Sequence, residues 1–190
     1  MTQYFAYKGF RLSRADFPTR VLITSFLLMM VLALGLGVLN YRLRTGLTPE
    51  GTRQWYRGNE GAGENVDRLL FAKSTTELMD VTHPHLFEES FLFFILCHLF
   101  ALTRVRSRLK TTIYILSFTS VLVDCAGPWL IRFVSPALAP LQVASPIFMS
   151  ALVLSLVLVP LKEMWWDEPA SSPREDRASN GGATLETLRE

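Results

Sequence analysis

Six ionisable side chains interrupt or border stretches that are otherwise apolar. Glu88, Glu89 and His98 fall within residues 86–102, and Asp124 falls within residues 111–131. His83 and His85 flank Pro84 just ahead of the first stretch. Charged groups at membrane depth are costly and point to a partner, a cavity or a pathway. On a helix, Glu89 lies about 40° from His85 and Glu88 about 60° to the other side, so histidine and carboxylates share a face. A carboxylate beside a histidine can exchange protons with a quinol. The same nitrogen and oxygen atoms suit zinc, copper or iron, with His83, His85 and Glu89 as the set, although their spacing matches no specific metal signature. The plainer alternative is that both glutamates reach into headgroups, Asp124 bonds Ser or Thr hydroxyls, and His-Pro-His caps a helix start.

His85 and His98 are 13 residues apart, the spacing at which cytochrome b proteins hold two stacked haems from one helix. The two point about 140° apart and cannot clamp a single haem. With three histidines in the chain, a b-type haem would need His83 to loop back, a methionine such as Met149 or Met29, or a ligand from a partner subunit.

The elements that must position these groups are membrane spans. Hydrophobic residues make up 49% of the 190 and charged residues 19%, and the mean hydropathy is +0.26. These values exclude a disordered chain or a disulfide scaffold, and a net charge of +2 argues against a nucleic-acid partner. A bilayer core needs about 20 apolar residues per helix. Residues 21–39, 86–102, 111–131 and 141–161 meet that need, which predicts an all-α four-transmembrane-helix bundle. No alternating strands suggest a barrel, and no small-residue cleavage site follows the first span.

Basic residues set the expected orientation. Lys8, Arg11, Arg14 and Arg20 face one acid, Asp16, in the segment 1–20, and Arg104, Arg106, Arg108 and Lys110 crowd the connection between spans two and three. Positive loops stay inside, so the prediction is N-in/C-in, with residues 41–85 as a periplasmic outer loop. Glu88, Glu89 and Asp124 then converge in the outer half of the bundle, level with Gln142, Ser145 and Met149, whereas the inner half holds only His98. Trp165 and Trp166 fit the inner interface and Trp129 the outer one.

The outer loop carries helix signals. Thr48-Pro49-Glu50 reads as a cap, a proline at the first position and a first-turn acid, giving a short helix to Arg57. Ser74-Thr-Thr-Glu77 is a capping box that predicts a second short helix leading to Pro84. Residues 163–190, with seven acids and three bases, read as a disordered tail. Cys97 and Cys125 lie at different depths of neighbouring spans, too far apart for a disulfide. Gly127-Pro128 should leave a free carbonyl and a polar notch beside Asp124. Ala33-x-x-x-Gly37 and Ala151-x-x-x-Ser155 read as small-residue helix contacts.

The run from Tyr56-Arg-Gly58 through Lys73-Ser74, Glu77-Leu78 and Thr82-His-Pro-His85, with His98-Leu-Phe-Ala-Leu-Thr103 and Asp124-Cys-Ala-Gly-Pro-Trp129, resembles a family of small, uncharacterised bacterial inner-membrane proteins with four spans. The resemblance covers roughly residues 20–160, implies a bacterial inner-membrane location and carries no established activity.

No Gly-rich phosphate loop, G-x-S-x-G or H-E-x-x-H is present. The expected function is a small accessory subunit of a membrane electron-transfer complex, not catalytic on its own. Its outer-half cluster would support a redox cofactor or quinone through His85, Glu88, Glu89 and Asp124, with His98 and Met149 behind them. The expected partners are membrane lipids and a larger membrane-protein complex or oligomer. An independent haem- or metal-binding membrane protein is the alternative, and a small transporter or proton relay the third class; four spans without a repeat weigh against the last.

Overall fold

The computed structural model describes residues 11–61 and 68–166. All regular structure among them is helical. Four helices are long and apolar enough to cross a membrane: α1 (Phe17–Thr45), α3 (Thr75–Ala101), α4 (Ser107–Trp129, prolonged by a π-turn at Leu130–Val134) and α5 (Ala139–Trp165). The short helix α2 (Pro49–Arg57) lies between α1 and α3 in sequence. The end of the bundle that carries α2 is called the loop end, and the end with the Arg104–Lys110 turn the basic end.

Local signals start and stop these helices where the sequence indicates. Gly46, at φ +65°, ends α1 in a left-handed conformation, and its N–H donates to the Arg42 carbonyl. Thr48 caps α2, its hydroxyl accepting from the Gly51 N–H at 3.0 Å, and Gly58 stops it at φ +81°. Both halves of the Ser74–Glu77 capping box are formed.

Four expectations are corrected. The predicted short helix before Pro84 does not exist separately: α3 runs unbroken from Thr75 through Pro84, because one lost backbone hydrogen bond is tolerated in a long span. Likewise α4 continues past Gly127-Pro128 to Trp129, and the irregularity falls one step later, at Leu130–Val134. The helices run beyond the apolar stretches 21–39, 86–102, 111–131 and 141–161 at most of their ends, carried on by residues such as Arg20, Asn40, Glu77, Lys110 and Lys162, while α3 stops at Ala101. The tail begins later than residue 163: Glu163 is 4% exposed inside α5, and it accepts the Arg104 backbone N–H at 2.7 Å. Residues 1–10, 62–67 and 167–190, including most of the predicted tail, lie outside the described residues.

The core gathers toward the basic end. Leu27, Leu96, Phe100, Val121, Leu156 and Val157 are fully enclosed there, and Leu12, from a 3-10 turn at Leu12–Arg14, seals them from the N-terminal side. Cys97 joins this cluster as a free thiol. At the loop end the packing changes. α1 rests on α5 and on α2 but barely meets α3 or α4. A Cβ added to Gly37 would find nothing within 4 Å, so the predicted Ala33–Gly37 helix contact is not made. Ala151 likewise faces outward.

Candidate functional site

The space that α1 leaves open is a cavity of about 560 Å³ lined by all four spans and by α2. Its contents follow from the helices around it. From α3 come Thr82, His85, Glu88, Glu89, Leu92 and Phe93. Each is three or four residues from the next pair, so they form one face. From α4 come Asp124, Cys125 and Pro128; from α5 come Gln142, Pro146, Met149, Ser150 and Val153. The small side chains Ala33 and Gly37 of α1 keep the space open, with Met30, Leu34 and Val38 beside them. Trp55 and Tyr56 of α2 form the roof.

The cavity is divided by chemistry. Its ionisable groups are Arg44, His85, Glu88, Glu89 and Asp124, joined by Asn40, Tyr41, Thr45 and Gln142. Its other part is apolar: Met30, Leu34, Leu92, Phe93, Met149 and Val153. Along α1 and α5 the apolar residues lie on the side of the bundle centre, because Met30 and Val153 are both farther from the loop end than Tyr41 and Gln142.

Two prolines organise the polar part. Proline lacks an N–H, so it frees the carbonyl four residues before it. Pro128 frees the carbonyl of Asp124, and the Gln142 amide donates to that oxygen at 3.4 Å and to the Asp124 carboxylate Oδ1 at 3.2 Å. Pro146 frees the carbonyl of Gln142, and the Tyr41 hydroxyl donates to it at 3.3 Å. The Tyr41 oxygen also shares a hydrogen bond of 2.9 Å with the hydroxyl of Thr52, buried under α2. The notch foreseen at Pro128 is therefore present, and a side chain fills it. Gly127 leaves room for it, since a Cβ at this position would run into the far end of the Gln142 side chain and push it aside.

Two buried oxygens among the lining residues have no partner: Glu89 Oε2 and Gln142 Oε1. An unpaired buried acceptor costs about 1–3 kcal/mol, so a donor at this site would be bound with that cost relieved. Tyr56, on the roof, has its hydroxyl pushed well above the ordinary tyrosine range, first by burial, with the neighbouring Tyr41 and Asp124 adding to the shift. It remains a neutral donor at any physiological pH.

The residues predicted from sequence are partly brought together. His85, Glu88, Glu89, Asp124 and Met149 all line the one cavity. His98 does not: it lies on the outer surface of α3, stacked on Phe94 at 6.3 Å. Met29 is exposed on α1 and also lies apart from it. The set His83, His85 and Glu89 fails as a metal triad. α3 is helical through Pro84, which turns His83 about 200° from His85, and among the described residues no three His, Cys, Asp or Glu side chains are grouped to hold a metal ion. Sequence reasoning missed Tyr41, Arg44, Trp55 and Tyr56. The one available signal was the polar run Asn40-Tyr-Arg-Leu-Arg44 directly after an apolar span.

Comparison with known proteins adds the family. A family model described as a transmembrane helical domain matches residues 46–171, which includes α2 through α5. Neither the curated proteins nor the solved structures gave a match. The chain, a multi-pass membrane protein by its four apolar helices, belongs to this transmembrane helical domain family.

Proposed function

We propose that the cavity binds an amphiphilic lipid of the quinol class, and that the chain serves as a small subunit beside a larger electron-transfer complex in a bacterial inner membrane. In this reading the basic end lies inside and α2 outside, following the basic residues at 104–110. The observation that carries it is the divided cavity: unpaired acceptors at Glu89 and Gln142 in its polar part, and an apolar part continuing toward the bilayer centre. A quinol head offers two hydroxyl donors to those acceptors. Its isoprenoid tail would leave along the apolar part, through the gap where α1 stands away from α3. His85 and Tyr56 would orient the head, and Glu89 and Asp124 would supply proton-exchanging groups next to it.

A His/Met haem is the second reading, because His85 and Met149 line the same cavity. Haem propionates, however, would meet Glu88, Glu89 and Asp124 with Arg44 as the one cation of the lining. The test is a titration of the detergent-purified full chain with a short-tailed quinol such as decylubiquinol. Saturable binding is expected, weakened about tenfold by Glu89→Leu, which removes the acceptor. The absence of saturable binding would overturn the reading. A reduced-minus-oxidised spectrum with a sharp haem α-band would replace it with the second. Larger proteins should co-purify from native membranes in mild detergent.

A further inference from the structure

Arg44, Arg68 and Lys73 come from three separate places in the chain and meet at one indole. The Arg44 and Arg68 guanidinium groups lie 5.5 Å and 5.8 Å from the centre of the Trp55 ring, and the Lys73 ammonium lies 4.8 Å from it. Each distance is within the range of a cation–π contact, worth about 0.5–1 kcal/mol at an exposed site. Three like charges around one ring also repel one another. Lys73 pairs with Glu77 at 2.8 Å. Among the described residues, neither Arg44 nor Arg68 has a carboxylate partner.

The convergence is built into the backbone. Asn59 holds both sides of the Arg68–Leu70 strand of chain, donating to the Arg68 carbonyl at 2.9 Å and accepting from the Leu70 N–H at 2.7 Å. The Lys73 N–H donates to the Tyr56 carbonyl at 3.0 Å, and Arg132 donates to the Lys73 carbonyl at 2.8 Å. The cations are thus brought to Trp55 by paired main chain on each side. Arg44 stands where α1 leaves its apolar run, and a tryptophan suits a membrane–water interface.

We propose that Arg44, Arg68 and Lys73 around Trp55 form a docking site for a phosphate-class anion, the phosphodiester of an anionic phospholipid headgroup. A phosphodiester offers oxygens to a guanidinium fork, and its charge would relieve the repulsion. Because Arg44 and Trp55 also line the cavity, the docked headgroup would border its mouth. The site can be separated from any quinol through Arg68 and Lys73, which do not line the cavity, whereas Arg44 borders both.

The test is native mass spectrometry of the full chain in neutral detergent, with equimolar phosphatidylglycerol and phosphatidylcholine of the same acyl chains. The expected result is about tenfold more phosphatidylglycerol adduct, equivalent to the affinity ratio of one such contact. The preference should fall toward one in Arg68→Gln and vanish in the Arg44→Gln/Arg68→Gln double variant. Arg68 is exposed, so its single variant keeps the proposal testable if the double variant does not fold. Equal adducts of the two lipids, or an unchanged preference in Arg68→Gln, would overturn the proposal. In a parallel arm with inorganic phosphate, a phosphate adduct that displaces phosphatidylglycerol and is lost in the variants would assign the site to free phosphate instead. Quinol binding that survives in Arg68→Gln would separate this result from the fate of the cavity.

Discussion

The basic end of the bundle is closed and the loop end is hollow, although the same four helices build both. At the basic end, Leu27, Leu96, Phe100 and Leu156 fill the space between helices. At the loop end, Ala33 and Gly37 take the place of large side chains on α1, and Pro128 and Pro146 break the hydrogen-bond ladders of α4 and α5. The difference shows what closes a membrane bundle. Lipid tails are as apolar as leucine, so helices are not pressed together by water, and side-chain fit has to do it. Where fit is absent, space stays open. Here that space is further held by a roof, because Tyr41 reaches both α5 and Thr52 of α2.

This contrast can be broken experimentally. The largest effect is expected in the closed half. Phe100→Ala should destabilise by about 3 kcal/mol, the lower part of the range for such truncations, because the void remains costly while transfer into lipid is not. Unfolding in mixed micelles would measure it, and a loss below about 1 kcal/mol would mean that the closed half is not tightly packed. A smaller loss is expected at the border. Gly127→Ala pushes Gln142 off Asp124 and should cost about 1–3 kcal/mol by overpacking, with weakened quinol binding as its second signature. The smallest effect on stability, and of opposite sign, is expected in the hollow half. Gly37→Leu meets open space and gains helix propensity, up to about 1 kcal/mol. The same side chain would fill the cavity, so binding should disappear while the melting temperature holds or rises. A large destabilisation by Gly37→Leu would show that α1 closes onto its neighbours.

Much of the fold was legible because it depends on local or periodic signals. The four spans followed from apolar length, and the caps at Thr48 and Ser74 followed from side chains that bond within their own turn. The grouping of His85, Glu88, Glu89, Asp124 and Met149 was legible too, since membrane depth can be counted along a helix. What could not be read was azimuth. Residue counts place His98 at a depth but do not say which neighbour its face meets, and it turns outward. Small residues are equally ambiguous: Ala33 and Gly37 permit a close helix contact or leave a void, and only the position of α3 decides. Glu163 read as the start of an acidic tail, yet its carboxylate takes up the N–H of Arg104, a partner 59 residues away. The roof was hidden for the same reason, since the apolar surface of Trp55 and Tyr56 does not name what it covers.

The two proline-freed carbonyls also bear on the order in which the protein is made. A helix entering lipid with a bare carbonyl carries an unmet cost of several kcal/mol. α5 contains such a carbonyl at Gln142, and the hydroxyl that satisfies it belongs to Tyr41, synthesised a hundred residues earlier. The donor therefore waits in the membrane before its acceptor leaves the ribosome. Gln142 in turn reaches back to α4, which also precedes it. Biosynthesis thus delivers α5 after the partners that satisfy it, and this later span ties the earlier ones together.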